Sequence, residues 1–205
     1  HLQDVLRMFE TPLSVQLRFG IPDDYENRIL AEALTRFAGL HPAGNISATS
    51  GCTAHYPAAI QDGKMDMAVC SGPEKLQGVH ISTEPAVWAA SASFHLPADK
   101  PLPIAMLDRA CWWQTIPTRA LNSALRDYAI VFRTESFGSL LAALRAGLCV
   151  GVLPASCAGD DLCILGEENG LPTLPEIHRT LLCAPSGLND ITSAMAQAIQ
   201  ATMPV

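Results

Sequence analysis

The sequence predicts an α/β fold of two lobes with a cleft between them, and three observations carry that prediction. Short apolar runs with strand character alternate with segments of helical spacing. The alternation starts twice, first near Val15 and again near Pro103. A final amphipathic segment at residues 194–203 follows a strand-like run at 180–183, so the chain is able to return to its first unit and cross between the lobes twice. With 205 residues, 49% hydrophobic and only 16% charged, the chain has enough apolar material for such a core and too little charge for disorder.

The elements follow in order. Leu2, Val5, Leu6 and Phe9 recur at helical spacing, so residues 2–9 read as the end of a helix that stops at Thr11-Pro12. Residues 15–19 alternate as a strand and residues 20–24 turn. Ile29, Leu30, Ala33, Leu34 and Phe37 then mark a helix with Asp23 or Asp24 available as its N-cap. Residues 45–50 read as a strand, 56–61 as a helix, Asp62-Gly63 as a turn, and 65–70 as an apolar strand. An extended segment at 80–90 precedes a Pro-rich turn and a strand at 103–107. Leu121, Leu125 and Tyr128 predict a helix over 118–128. A strand at 129–132, a helix at 136–146 closed by Gly147, and a strand at 148–153 follow. The strands predict a parallel sheet with helices on both faces.

Several functions are excluded or left without support. Thirteen basic against twenty acidic residues give a net charge of -7, the wrong sign for a surface that grips phosphates. The apolar runs at 85–94 and 140–154 are too short or too interrupted to span a membrane. Seven widely spaced cysteines, mostly flanked by apolar residues, suit a reducing cytoplasm better than a disulfide framework. The histidines show no i, i+4 pair, so no metal site is expected, and no Gly-x-Ser-x-Gly turn or acid/base set points to an enzyme. No cofactor is expected.

Three ordered stretches carry a resemblance: Leu17-Arg18-Phe19-Gly20, Asp62-Gly63-Lys64-Met65-Asp66-Met67-Ala68-Val69, and Leu144-Arg145-Ala146-Gly147-Leu148-Cys149-Val150-Gly151-Val152-Leu153-Pro154. Together they resemble the effector-binding domain of LysR-type transcriptional regulators. Cys111 before a helix, and Leu165-Gly166 with Leu171, Pro172 and Pro175, are similar to its LrhA-like or nodulation-type branch. The resemblance implies two Rossmann-like subdomains of type 2 periplasmic-binding-protein kind with a central cleft. Residues 13–86 and 185–205 would form subdomain I, residues 87–184 subdomain II, and residues 1–12 the end of a linker helix. It also implies a winged helix-turn-helix that is not in these residues, pairing into a homodimer through this domain, and a tetramer in the full-length bacterial protein.

In such clefts ligands sit at the carboxyl ends of parallel strands. The residues that fall there are Asp23 and Asp24 after the first strand, Ser50 and Gly51 after the second, Arg109 at the start of the second lobe, and Thr134, Glu135 and Ser136 before its later helix. Ser136 is open to either a capping or a ligand role. Cys111, two residues from Arg109 and just ahead of a helix, has surroundings that lower a thiol pKa, though a small apolar role beside Trp112 and Trp113 is the favoured reading. Cys52 and Cys149 join it as redox candidates, while Cys70, Cys149, Cys157 and Cys183 also read as core. Trp112 and Trp113, being adjacent, are expected to point apart so that at most one faces a ligand. The expected function is therefore signal sensing by a transcription regulator, through a small effector in the cleft or through cysteine oxidation by peroxide. A free-standing solute-binding protein of the same fold is the alternative.

Overall fold

Strand β1 (Gln16–Pro22), helix α1 (Asn27–Leu40), strand β2 (Asn45–Gly51), helix α2 (Tyr56–Gln61) and strand β3 (Met67–Gly72) build the first lobe. They belong to a computed structural model that describes residues 16–25, 27–97, 100–185 and 189–202. The helix expected at residues 2–9 and the linker at 1–12 lie outside the described residues. The strands β2, β1 and β3 are parallel neighbours, as short β-α-β connections require. The run Met67-Ala68-Val69-Cys70 is buried throughout because it has helices on both faces. Met67 and Val69 join Phe37 of α1 in one core, whereas Ala68 and Cys70 meet Tyr56 and Ile60 of α2 in another.

The second lobe holds β5 (Leu102–Leu107), α3 (Trp112–Ser123), β6 (Tyr128–Thr134), α4 (Phe137–Arg145), β7 (Gly151–Pro154) and β8 (Leu162–Leu165). Strands β5 and β6 are parallel, and Ile104 bridges to Val150 ahead of β7. Its core gathers Trp88, Leu121, Phe137, Leu140, Leu144 and Leu153.

Two strands join the lobes. The thirteen-residue β4 (Val79–Ser91) pairs antiparallel with β9 (Glu176–Cys183) in its first half and with β7 and β8 in its second. Strand β9 also pairs antiparallel with β3, and the closing helix α5 (Asp190–Gln200) lays Ile191, Met195 and Ile199 into the core shared with α1. The main sheet therefore runs β2-β1-β3-β9-β4-β7 and is mixed, not the parallel sheet expected. The reason is topological: a strand that returns from a second lobe approaches the first sheet from the opposite end.

Four local expectations are corrected. Helix α3 begins at Trp112 and ends at Ser123, not 118–128; burial of Trp113, Ile116 and Leu121 outweighs the boundary signal of Pro117, which sits inside the helix. Tyr128 belongs to β6. The strand expected at 148–153 starts only at Gly151, and β8 has no counterpart in the expected elements. Asp23 and Asp24 do not cap α1, which starts at Asn27; both carboxylates reach the second lobe.

Among the described residues, one helix end is strained. After α4, Gly147 has φ +70°, its N–H bonds to the carbonyl of Leu144, and Leu148 N–H bonds to Ala143. This is a Schellman closure with glycine in the left-handed position. The same closure follows α3, where Leu125 N–H bonds to Asn122 and Arg126 N–H to Leu121, but Leu125 occupies the left-handed position at φ 52°. Leu125 is 92% exposed, so its side chain returns little for that conformation. Leu125→Gly is expected to stabilise the domain by about 1 kcal/mol in urea unfolding; a loss of stability would mean that Leu125 has a packing role not visible in its exposure.

Candidate functional site: the cleft between the lobes

The loop after β1 is held at the cleft by the strand ends beneath it. The Tyr56 hydroxyl, wholly buried, is 3.0 Å from the carbonyl oxygens of both Ile21 and Thr49, the ends of β1 and β2. Burial pushes its pKa up to about 12, so it stays a donor. Thr53 Oγ1 likewise bonds the backbone of Ser71 through both N–H and carbonyl. These bonds set the carboxyl ends of β1, β2 and β3 side by side as a rim.

Across that rim the second lobe presents Arg109 and the start of α3. The Arg109 guanidinium donates two hydrogen bonds to the Asp23 carboxylate, at 2.8 and 2.9 Å, in the bidentate geometry that planar guanidinium and carboxylate share. The pair is largely sheltered, with side-chain exposures of 13% and 25%. Beside it Trp113 Nε1 donates to Asp24 Oδ2 at 2.7 Å. The two tryptophans stack, ring centroids 4.2 Å apart and 26° between planes, and both line the cleft. The expectation that they point apart is thus overturned, because at the first turn of α3 neighbouring large rings turn to one side to share the cleft's apolar wall.

Asp24 is the most buried carboxyl of the site. Its Oδ1 has no hydrogen-bond partner among the described residues, and burial raises its pKa against the opposing pull of Arg179 and Trp113. Arg179 of β9 is itself 3% exposed; it pairs with Glu84 of β4 and donates to the carbonyl of Asp24 at 3.3 Å. Its guanidinium lies 5.5 Å from the centroid of the Tyr25 ring. Ser156, from the second lobe, donates to Glu84 through its N–H at 2.8 Å and its hydroxyl at 3.1 Å, and Cys157 Sγ donates to the carbonyl of Asp24. Both crossing strands and both lobes therefore meet at Glu84 and Arg179. This cluster escaped the sequence reading. Its only trace there is a carboxylate and a guanidinium inside two strands, each beside polar neighbours, Thr83 for Glu84 and His178 and Thr180 for Arg179.

Beside the Arg109–Asp23 pair lies a cavity of about 10 Å³, room for roughly one water, lined by Asp23, Asp24, Gly51, Cys52, Arg109 and Cys111 among others. The candidate residues divide accordingly. Asp23, Asp24, Gly51, Arg109, Cys52 and Cys111 are brought together there. Ser50 is exposed at the end of β2 and does not line the cavity. Thr134, Glu135 and Ser136 lie outside it: Thr134 Oγ1 accepts from Ser136 N–H, and Ser136 Oγ caps α4 by accepting from Ser139 N–H. Cys149 is buried in the second core, where its thiol is pushed up to about 11.

The Cys111 thiol is also raised, to about 11, first by burial and then by contact with Cys52. The lowering expected from Arg109 is present but outweighed by burial, and that guanidinium is committed to Asp23. No group of three or more metal-ligating side chains is found among the described residues.

Two α/β lobes on a pair of crossing strands, with an acidic loop and an arginine facing each other over the strand ends, define a periplasmic-binding-protein-like domain. The chain belongs to the LysR substrate binding domain family, whose pattern matches residues 11–175; it is the effector-binding domain of a LysR-type transcriptional regulator. It is 28% identical over its whole length to the HTH-type transcriptional regulator DgdR of Burkholderia cepacia, of which it spans 73%. It is also 28% identical, over 90% of its length, to the HTH-type transcriptional regulator PecT of Dickeya dadantii, of which it spans 58%. Its fold is similar to the regulatory domain of HypT from Salmonella typhimurium, with a TM-score of 0.75, 9% identity, and coverage of 91% of this chain and 94% of that one.

Proposed function

We propose that the inter-lobe cleft is the sensing site of a DNA-binding regulator, that the domain has no enzymatic activity of its own, and that a small molecule bearing a carboxylate is its effector. The observation that carries this is the Arg109–Asp23 pair. A sheltered, planar guanidinium that already holds one carboxylate in two hydrogen bonds is equipped to hold another. The Asp23 carboxylate occupies the place the effector takes, which is why the cavity beside it is no larger than a water. An incoming carboxylate displaces Asp23, and the lobes settle at a different angle about β4 and β9. Asp23, Asp24, Gly51 and Arg109 are the contacts of this reading; Ser50, Thr134, Glu135 and Ser136 would join only after such a rearrangement.

A thermal-shift screen of small organic acids tests it. An acid that raises the melting temperature of the wild-type chain is expected to lose tenfold or more in affinity with Arg109→Ala, about 1.4 kcal/mol or more, and to bind more tightly to Asp23→Asn, which frees the guanidinium. Undiminished binding to Arg109→Ala sinks the reading.

The signal must leave the domain, and we take a second copy as its receiver. Strand β2 is exposed along most of its length and is the edge of the main sheet; β6 is the edge of the second lobe's sheet and exposes Val131. One lobe of each chain paired with the other lobe of its partner would cover both edges. Binding to DNA then belongs to a helix-turn-helix beyond these residues, in the cytoplasm, where the seven unpaired cysteines are at home. The names of both relatives support the regulator over a free-standing solute-binding protein. A purely monomeric chain in light scattering at all concentrations would remove the second copy as receiver.

A further inference from the structure

We propose that Cys52 and Cys111 form a reversible disulfide across the cleft, so that a hydroperoxide ties the two lobes together covalently. The proposal rests on the cleft as the sensing site, but on a different pair of residues from those that would hold an effector.

The two cysteines come from opposite lobes. Cys52 follows β2, and Cys111 is the residue just ahead of α3. Cys52 Sγ lies 3.8 Å from the carbonyl oxygen of Ala110, the residue just before Cys111, so the two cysteines face each other across the cleft at one point. Both line the same water-sized cavity. Both residues have extended backbone, with φ of -67° and -146°, so neither Cβ is locked in the interior of a helix. The other cysteines are engaged elsewhere: Cys70 and Cys149 are buried in separate cores, Cys157 donates to Asp24, Cys183 ends β9 and Cys163 is exposed on β8.

The chemistry balances in two steps. The Cys52 thiolate attacks the outer oxygen of a hydroperoxide, ROOH; the O–O bond breaks, Cys52 becomes a sulfenic acid and the alkoxide leaves as ROH after taking a proton. Cys111 Sγ then attacks the Cys52 sulfur, the S–O bond breaks, and the Cys111 proton leaves with the hydroxyl as water. In sum, two thiols and ROOH yield a disulfide, ROH and H2O. Cys111 suits the second step by position, since it lines the same small cavity as Cys52 from the opposite lobe. The bond would hold the lobes in their present approach, with Asp23 on Arg109, and exclude an effector.

The test treats the 205-residue chain with one equivalent of hydrogen peroxide and maps it by mass spectrometry without reduction. Trypsin separates Cys52 from Cys70 at Lys64 and isolates Cys111 between Arg109 and Arg119. The expected product is one linked pair of these two peptides, lighter by two hydrogens, formed within a single chain and lost on adding a dithiol reductant. Tryptophan emission should fall on oxidation, since Trp112 and Trp113 adjoin the new bond, and recover on reduction. The melting temperature of the oxidised chain should rise by roughly 5–10 °C.

Cys52→Ser and Cys111→Ser should each abolish the linked peptide and the emission change. Differential alkylation of the wild-type chain gives the same answer without any variant: both thiols should become protected together. A linkage to Cys157 or Cys163, a bond between chains, or thiols that stay alkylatable after peroxide would overturn the proposal. None of those results touches the effector reading, which fails only if an acid binds Arg109→Ala as well as it binds the wild type.

Discussion

Arg179→Met is expected to cost about 3–5 kcal/mol of folding stability and to lower the melting temperature by roughly 10 °C or more, the usual consequence of leaving one member of a buried ion pair alone. Arg179 is 3% exposed and touches every part of the hinge: Glu84 on the other crossing strand, the Asp24 carbonyl in the first-lobe loop, and the face of Tyr25. Methionine keeps much of the volume but leaves the Glu84 carboxylate with only the two donors of Ser156. The double variant Arg179→Met/Glu84→Gln should recover a good part of the loss, because no charge is then stranded. Urea unfolding of the single and double variants reads both effects. A single-variant loss below about 1 kcal/mol would mean that the cluster is wet and that the lobes are held together elsewhere.

Asp24→Asn is expected to stabilise the chain at neutral pH by about 1–3 kcal/mol, and that gain should vanish in acid. Asp24 is fully buried, has one donor, Trp113 Nε1, and one oxygen with no partner among the described residues. Burial favours its neutral form, and its pKa is raised. The sign follows from proton linkage. A carboxyl whose folded pKa is raised contributes stability that is complete below its unfolded pKa, about 3.9, and is lost as pH climbs through the folded value. Asparagine keeps the acceptor for Trp113 and has no charge to bury. Stability measured from pH 3 upward should therefore decline more steeply for the wild type than for the variant. If Asp24→Asn is the less stable at pH 7, the attraction of Arg179 for a charged Asp24 outweighs burial and the carboxyl works as an anion.

Both effects concern residues whose partners lie far along the chain. Asp24 meets Trp113, and Glu84 meets Arg179, across separations of 89 and 95 residues. Nothing local in the sequence ties them. What was legible there was of short range: the period-two run of β1, the apolar run of β5, the helical spacing of α1, and the glycine that ends α4. The three family stretches were legible as well, because each is a continuous segment.

The loops that meet at the cleft could also be read in part. Ends of parallel strands are predictable once the strands are, which grouped Asp23, Asp24, Gly51 and Arg109 but also Ser50, Thr134, Glu135 and Ser136, which lie outside the cavity. Their chemistry was not. Arg109 is separated from Cys111 by a single residue and suggested a thiolate, yet its guanidinium turns to Asp23, and burial raises the Cys111 thiol instead. Ser136 needed no tertiary information, since a cap acts on the helix that follows it directly.

The sequence by itself determined the α/β class, the order of most elements and the family, because apolar periodicity, turn residues and contiguous motifs act through neighbours in the chain. Only the tertiary structure decided that the main sheet is mixed, that α3 runs through Pro117, that the cleft is clasped by Asp23 on Arg109, and that two cysteines from opposite lobes line one cavity. Those features depend on which surfaces the returning strand β9 brings together, and on the balance between burying a charge and finding it a partner. Neither quantity exists until the chain has closed on itself.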